Sequence, residues 1–170
     1  MLSYQNEYSD ITLREGIDEY RDYLKKNNRH VLGENCSEDE KLTILGHDAT
    51  HVIFGLDTSL EQEAILDTWV LWGSKWKLKY LLGYNKLPEI KQLTKNLFKE
   101  LGVLGFLKLY WRVVGIKRKV MFRAFKMKKK WPFKVPEAYL SMKISDLRKE
   151  YGIDVLPEEE MKYVPIERVS

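Results

Sequence analysis

Cysteine is almost missing from this chain of 170 residues: Cys36 stands alone, so no internal disulfide can form. That argues against a small secreted scaffold held by cross-links. Long apolar runs are missing too, since none approaches the roughly 18–20 residues needed to cross a bilayer. The opening residues Met1 to Glu7 lack the basic and apolar regions of a signal peptide, and they are not an Arg-rich transit sequence. No long stretch alternates with period two, and no repeat, low-complexity tract or interdomain linker is visible. The expectation is a soluble cytoplasmic protein without sheet.

What is present is ordinary globular material, 44% apolar and 32% charged. The length suits one domain, 1–170, with enough chain to bury a core without staples. The net charge of +4 conceals a division. Residues 1–67 carry 15 acidic and 6 basic side chains, whereas 106–134 carry 11 basic ones and no acid. Aromatic and aliphatic residues interrupt the basic block, so an ordered amphipathic element is expected there, with an anionic partner. One candidate is an anionic membrane surface, with Phe106, Trp111, Phe122 and Trp131 as anchors. This would place the protein peripherally on the inner membrane face. The plainer alternative is a partly buried helix with solvated lysines. Nucleic acid is not expected, because no recognition motif accompanies the charge.

The spacing predicts an all-α, single-domain bundle of about six helices. Thr12-x-x-Glu15 is a capping box opening a helix to about Lys26, with Ile17, Tyr20, Tyr23 and Leu24 on one face. A polar loop runs from Asn27 to Cys36. Ser37-x-x-Glu40 opens a second helix, carrying Leu42, Leu45, Ala49 and Val52, to about Gly55. Asp57-Thr58-Ser59, with Gln62 in the box position, caps a third that runs towards Leu82 and Gly83. Its stripe of Ile65, Trp69, Trp72 and Trp76 suits core or interhelix packing, with a wall for a lipid tail or a homodimer contact as the alternative. Pro88 begins a fourth helix, 89–101. From Val103 the apolar positions Leu107, Tyr110, Trp111, Val114, Met121 and Phe125 keep helical spacing until Trp131-Pro132. Ser145 caps a last short helix closed by Gly152, and 157–170 is expected to be a loose acidic tail.

Two of the three histidines fall in Gly46-His47-Asp48-Ala49-Thr50-His51. Positions i and i+4 share a helix face, with Cβ atoms about 5–6 Å apart. That spacing lets two imidazoles reach one divalent ion. Asp48 lies about 100° round from His47, near that edge. Glu63, brought back by the turn between helices, is the fourth expected ligand, and Asp67 one turn later is a candidate to orient a ligand histidine from behind. The pair alone also arises by chance in structural clusters. Zinc is the first choice of metal, with iron, magnesium or manganese as alternatives. No separate organic cofactor site and no catalytic residue is assigned. His30 and Cys36 read as surface or structural residues, and Arg14, Arg21 and Arg148 as surface ion-pair residues.

The arrangement His47-Asp48-x-x-His51, eleven residues, then Glu63 resembles the signature of the coenzyme Q biosynthesis family called coenzyme Q protein four. Gly55-Leu56, Thr58 and Trp69 match the turn and tryptophan around that signature. Asp146-Leu147-Arg148 and Tyr151-Gly152-Ile153 are similar to its closing residues. The chain departs from the family at Ala49, Thr50, Asp57 and Gln62. The resemblance implies a metal-binding protein of ubiquinone synthesis that takes a prenylated aromatic intermediate, with other enzymes of quinone biosynthesis as partners. It also implies oxidative decarboxylation of the head group as a candidate reaction, making the protein a lyase-like enzyme. Two alternatives stand beside it: a non-catalytic prenyl-lipid scaffold with a structural metal, and a metal-dependent phosphohydrolase of the HD type.

Overall fold

The computed structural model describes residues 2–27, 37–75 and 88–162. The fold is all-α, with six helices among the described residues and one minimal pair of strands. Helix α1, Leu13–Lys26, and helix α2, Glu38–Phe54, both begin on the expected capping boxes. In each, the cap hydroxyl of Thr12 or Ser37 accepts from the backbone N–H three residues on, and Glu15 or Glu40 answers the cap. These bonds hold both carboxyl groups below the usual carboxylate range. Helix α1 buries Ile17, Tyr20 and Leu24 against α2, as its spacing requires.

Helix α2 ends on Gly55, whose φ of 71° is the left-handed cap conformation that favours glycine. Leu56 N–H donates back to the His51 carbonyl at 2.9 Å. The chain then reverses into helix α3, Leu60–Gly73. Ser59 is its cap. Gln62 departs from the expected box, because its side-chain oxygen accepts from Asp57 N–H at 2.7 Å, not from the cap residue. Ile65 and Trp69 are wholly buried, Trp69 lying flat on Phe54 with ring centroids 4.7 Å apart.

Helix α3 stops at Gly73, about nine residues before the expected end, and the chain turns extended as strand β1, Ser74–Lys75. This pairs in parallel with strand β2, Trp131–Pro132, an element that periodicity did not announce. Two residues of strand are too short to show any alternation. Trp72 is on the rim, and Trp76 lies outside the described residues, as do His30, Cys36 and the expected stop at Gly83.

Helix α4, Pro88–Lys126, packs along α3 and is broken at Gly102. There φ is 59° and ψ −179°, a region open only to glycine. The break matches the expected boundary between 89–101 and the segment from Val103. The stripe from Val103 to Phe125, however, faces outward. Leu109, Val113, Val120 and Ala124 form the buried side, while Val103, Leu107, Tyr110, Trp111 and Phe125 are exposed. Of the expected membrane anchors, Trp131 is wholly buried against Tyr151 and Phe106 is half-buried.

Helix α5, Ile144–Tyr151, starts two residues earlier than expected, with Lys143 at its cap. Ser145 does not cap it; its N–H donates to the Ser9 carbonyl. The tail expected to be loose begins with one helical turn, α6, Glu158–Met161. Met161 is buried, and its carbonyl accepts from Gln62 Nε2 at 3.3 Å.

Arg148, expected at the surface, is 2% exposed. Its Nε donates to the Ile53 carbonyl, one terminal nitrogen to Asn6 and Glu7, and the other to Tyr4 and Val52. Val52 and Ile53 belong to the last turn of α2, where carbonyls lack helical partners and a cation is favoured. Burial lowers the guanidinium pKa to about 10, against an opposing effect of Glu7, so the group stays charged at neutral pH.

Gly46, directly before His47, fits a close crossing. A Cβ there would collide with the Phe133 carbonyl oxygen, which is backbone and has little room to move. Gly46→Ala is expected to destabilise the fold by about 1–3 kcal/mol. Thermal melting checks this, and an unchanged midpoint would contradict the packing described.

Candidate metal centre

The tight reversal at Gly55 makes α2 and α3 neighbours, so the C-terminal half of α2 meets the first turns of α3. His47, His51 and Glu63 converge there, each offering one ligand atom, and these atoms all lie within 4.8 Å of one another. His51 Nε2 is 3.4 Å from Glu63 Oε1, and the two imidazole centroids are 4.8 Å apart. A tetrahedral ion with bonds of ~2.0–2.1 Å separates its donors by about 3.4 Å. His51 and Glu63 already stand at that span, and no separation in the cluster must close by more than about 1.4 Å.

Burial grades across the cluster. His51 is wholly buried, while the side chains of His47 and Glu63 are 18% and 39% exposed. The His51 ring lies on Tyr20 of α1, with centroids 4.7 Å apart and planes 22° from parallel. Neither nitrogen of His51 has a hydrogen bond of ordinary geometry. An unsatisfied polar atom at such depth costs about 1–3 kcal/mol. The cost is offset when the lone pair is used, and a divalent cation is the partner the surrounding donors suit.

The two imidazoles titrate in opposite directions. Burial pushes the His51 pKa well below the ordinary value and the charge on His47 adds to this, with backbone groups of Leu56 and Asp57 opposing only in part. His51 is therefore neutral, the form that ligates. Burial also acts to lower His47, but Asp48, Glu63 and Asp67 together outweigh it and raise its pKa.

Asp48, expected as a ligand, is not in the cluster. Its Oδ2 accepts from Arg21 Nε at 2.7 Å, and its Oδ1 is 3.7 Å from His47 Nδ1. The reason is angular: one residue past His47 the side chain turns about 100° from the His47–His51 face, towards α1. Asp67 stands at the rim. Its side chain reaches solvent, yet the protein around it removes enough water to raise its carboxyl pKa, with Lys117 and His47 opposing. Its charge acts on His47, helping to raise that imidazole's pKa.

Two neighbours had no functional reading in the sequence. Tyr20 belonged to an apolar face, and nothing local signalled that its ring would lie on His51. Arg21 makes an ion pair as expected, but not at the surface: it is half-buried, and its partner, the buried Asp48, is 27 residues away. The group His47, His51 and Glu63 could hold a metal ion, and its two imidazoles and one carboxylate suit zinc and iron alike. No family model matches the chain, and no curated protein or solved structure is significantly similar to it.

Proposed function

We propose that this chain is a metal-binding protein of quinone biosynthesis that takes a prenylated aromatic acid at the His47–His51–Glu63 cluster. The observation that supports metal binding most strongly is His51: a wholly buried, neutral imidazole without a hydrogen bond of ordinary geometry, its Nε2 3.4 Å from Glu63 Oε1 and its ring beside a second imidazole. The substrate class rests on the resemblance carried by His47, Asp48, His51 and Glu63.

A bound divalent ion would supply Lewis acidity at an acid or phenol oxygen of the aromatic ring. The chain's own residues do the remainder. His47, His51 and Glu63 would hold the ion, the ring of Tyr20 shields His51 from water on the α1 side, and the Arg21–Asp48 pair leans on His47. Three protein donors leave positions for a ligand oxygen, which favours an enzyme over a closed structural site. The reaction proposed is oxidative decarboxylation, in which the ring carboxylate leaves as carbon dioxide and a hydroxyl replaces it at the expense of an oxidant such as dioxygen. The phosphohydrolase alternative gains nothing, since among the described residues no aspartate or further histidine joins the cluster.

Organic extraction of the purified protein, followed by mass spectrometry, tests the substrate class. A prenylated aromatic compound is expected from the wild type, and its level should fall in Glu63→Ala. Bound metal with no lipid in the extract would overturn the quinone assignment and the prenyl-lipid scaffold with it, and favour the phosphohydrolase reading or a purely structural metal.

A further inference from the structure

Helix α4 after Gly102 is apolar on two sides. The inner side, with Leu109, Val113 and Val120, packs in the protein. Half a helical turn away, Leu104 is 81% exposed, Trp111 72% and Phe122 56%. Phe125 extends this outer ridge and meets Trp72 of α3 edge to face, with centroids 5.2 Å apart. The straight run from Val103 to Lys126 is about 36 Å long. Contiguous apolar surface rimmed by polar groups marks an interaction site.

The charges beside the ridge decide among occupants. Lys108, Arg118 and Lys126 are exposed along it, and no carboxylate occurs between Glu100 and Glu137. A second copy laid along the ridge would bring like charges together with no acid there to answer them, which opposes pairing. An anionic lipid surface answers both features, since it accepts aromatic and aliphatic side chains at the headgroup boundary and attracts the cations around them. Among the described residues no helix is long and apolar enough to cross a membrane.

We infer that the outer face of α4, from Leu104 to Phe125, docks on an anionic membrane surface, the helix lying in the plane of the interface. Trp111 and Phe122 enter the headgroup boundary, while Lys108, Arg118 and Lys126 sit over phosphates. The buried Trp131 takes no part. This inference stands on residues separate from the metal cluster and does not depend on metal or substrate.

Co-sedimentation of the full chain with two sets of vesicles tests it, one of phosphatidylcholine alone and one of phosphatidylcholine mixed with phosphatidylglycerol. The wild type is expected to sediment with the mixed vesicles and to stay in solution with the neutral ones, and added salt should release it. Leu104→Ser with Trp111→Ser should weaken binding on the order of tenfold or more, as should Lys108→Ala with Lys126→Ala. These positions are exposed, and circular dichroism should show both variants folded. Failure of the wild type to bind mixed vesicles overturns the inference. So does a dimer that disperses in Leu104→Ser/Trp111→Ser, because a second copy would then own the ridge. A monomer whose Trp111 is shielded from an aqueous quencher would also overturn it, with the chain itself covering the face.

Discussion

Replacing Arg148 with methionine is expected to lower stability by about 3–5 kcal/mol. The thermal midpoint should drop on the order of 10 °C in a chain of this size. Methionine fills much of the same volume, so the loss isolates the hydrogen bonds. Five carbonyls, those of Tyr4, Asn6, Glu7, Val52 and Ile53, lose their donor together. Two of these close α2 immediately after His51, so the same change should loosen the turn that brings Glu63 to the imidazoles. Arg148→Lys should recover less than half of the loss, because one ammonium cannot span groups that a planar fork reaches at once. A midpoint for Arg148→Met within about 2 °C of wild type would contradict the role assigned to this guanidinium.

The second large effect separates a ligand from a packing residue. In metal-free protein, His51→Leu should be neutral or stabilising, by up to about 1–3 kcal/mol, since an apolar side chain replaces a buried imidazole whose nitrogens lack hydrogen bonds of ordinary geometry. Adding zinc or cobalt at about a hundred times its dissociation constant should stabilise the wild type by about 2.7 kcal/mol and leave the variant unmoved. Added metal thus shifts the stability difference between wild type and variant by about 2.7 kcal/mol in favour of the wild type. If His51→Leu instead costs more than about 2 kcal/mol without metal, the imidazole is an ordinary core group and the cluster loses its main support.

The starts of α1 and α2 were legible because they are local. Thr12 with Glu15, and Ser37 with Glu40, form reciprocal bonds within four residues, so sequence proximity contains the whole interaction. The break at Gly102 and the cap at Gly55 were legible for the same reason. What a helix face packs against is not local. The stripe from Val103 to Phe125 and the opposite stripe through Leu109 and Val113 are both apolar, and periodicity cannot say which one α3 covers. Arg148 shows the same limit, because its acceptors lie in residues 4–7 and 52–53, joined to it only by the fold.

The candidate site divides along that line as well. The i, i+4 spacing and the short turn were enough to expect His47, His51 and Glu63 together. Asp48 followed from adjacency in sequence, but its helical angle directs it to Arg21, a partner set by how α1 crosses α2. The placing of Tyr20 over His51 depends on that crossing too.

The most direct test of the metal centre is the metal content of purified wild-type protein beside His51→Ala and Glu63→Ala, with circular dichroism to verify that each variant is folded. The account predicts a stoichiometric divalent ion in the wild type and its loss from both variants. A wild type that neither retains nor takes up a divalent ion, or variants that keep it undiminished, would contradict it.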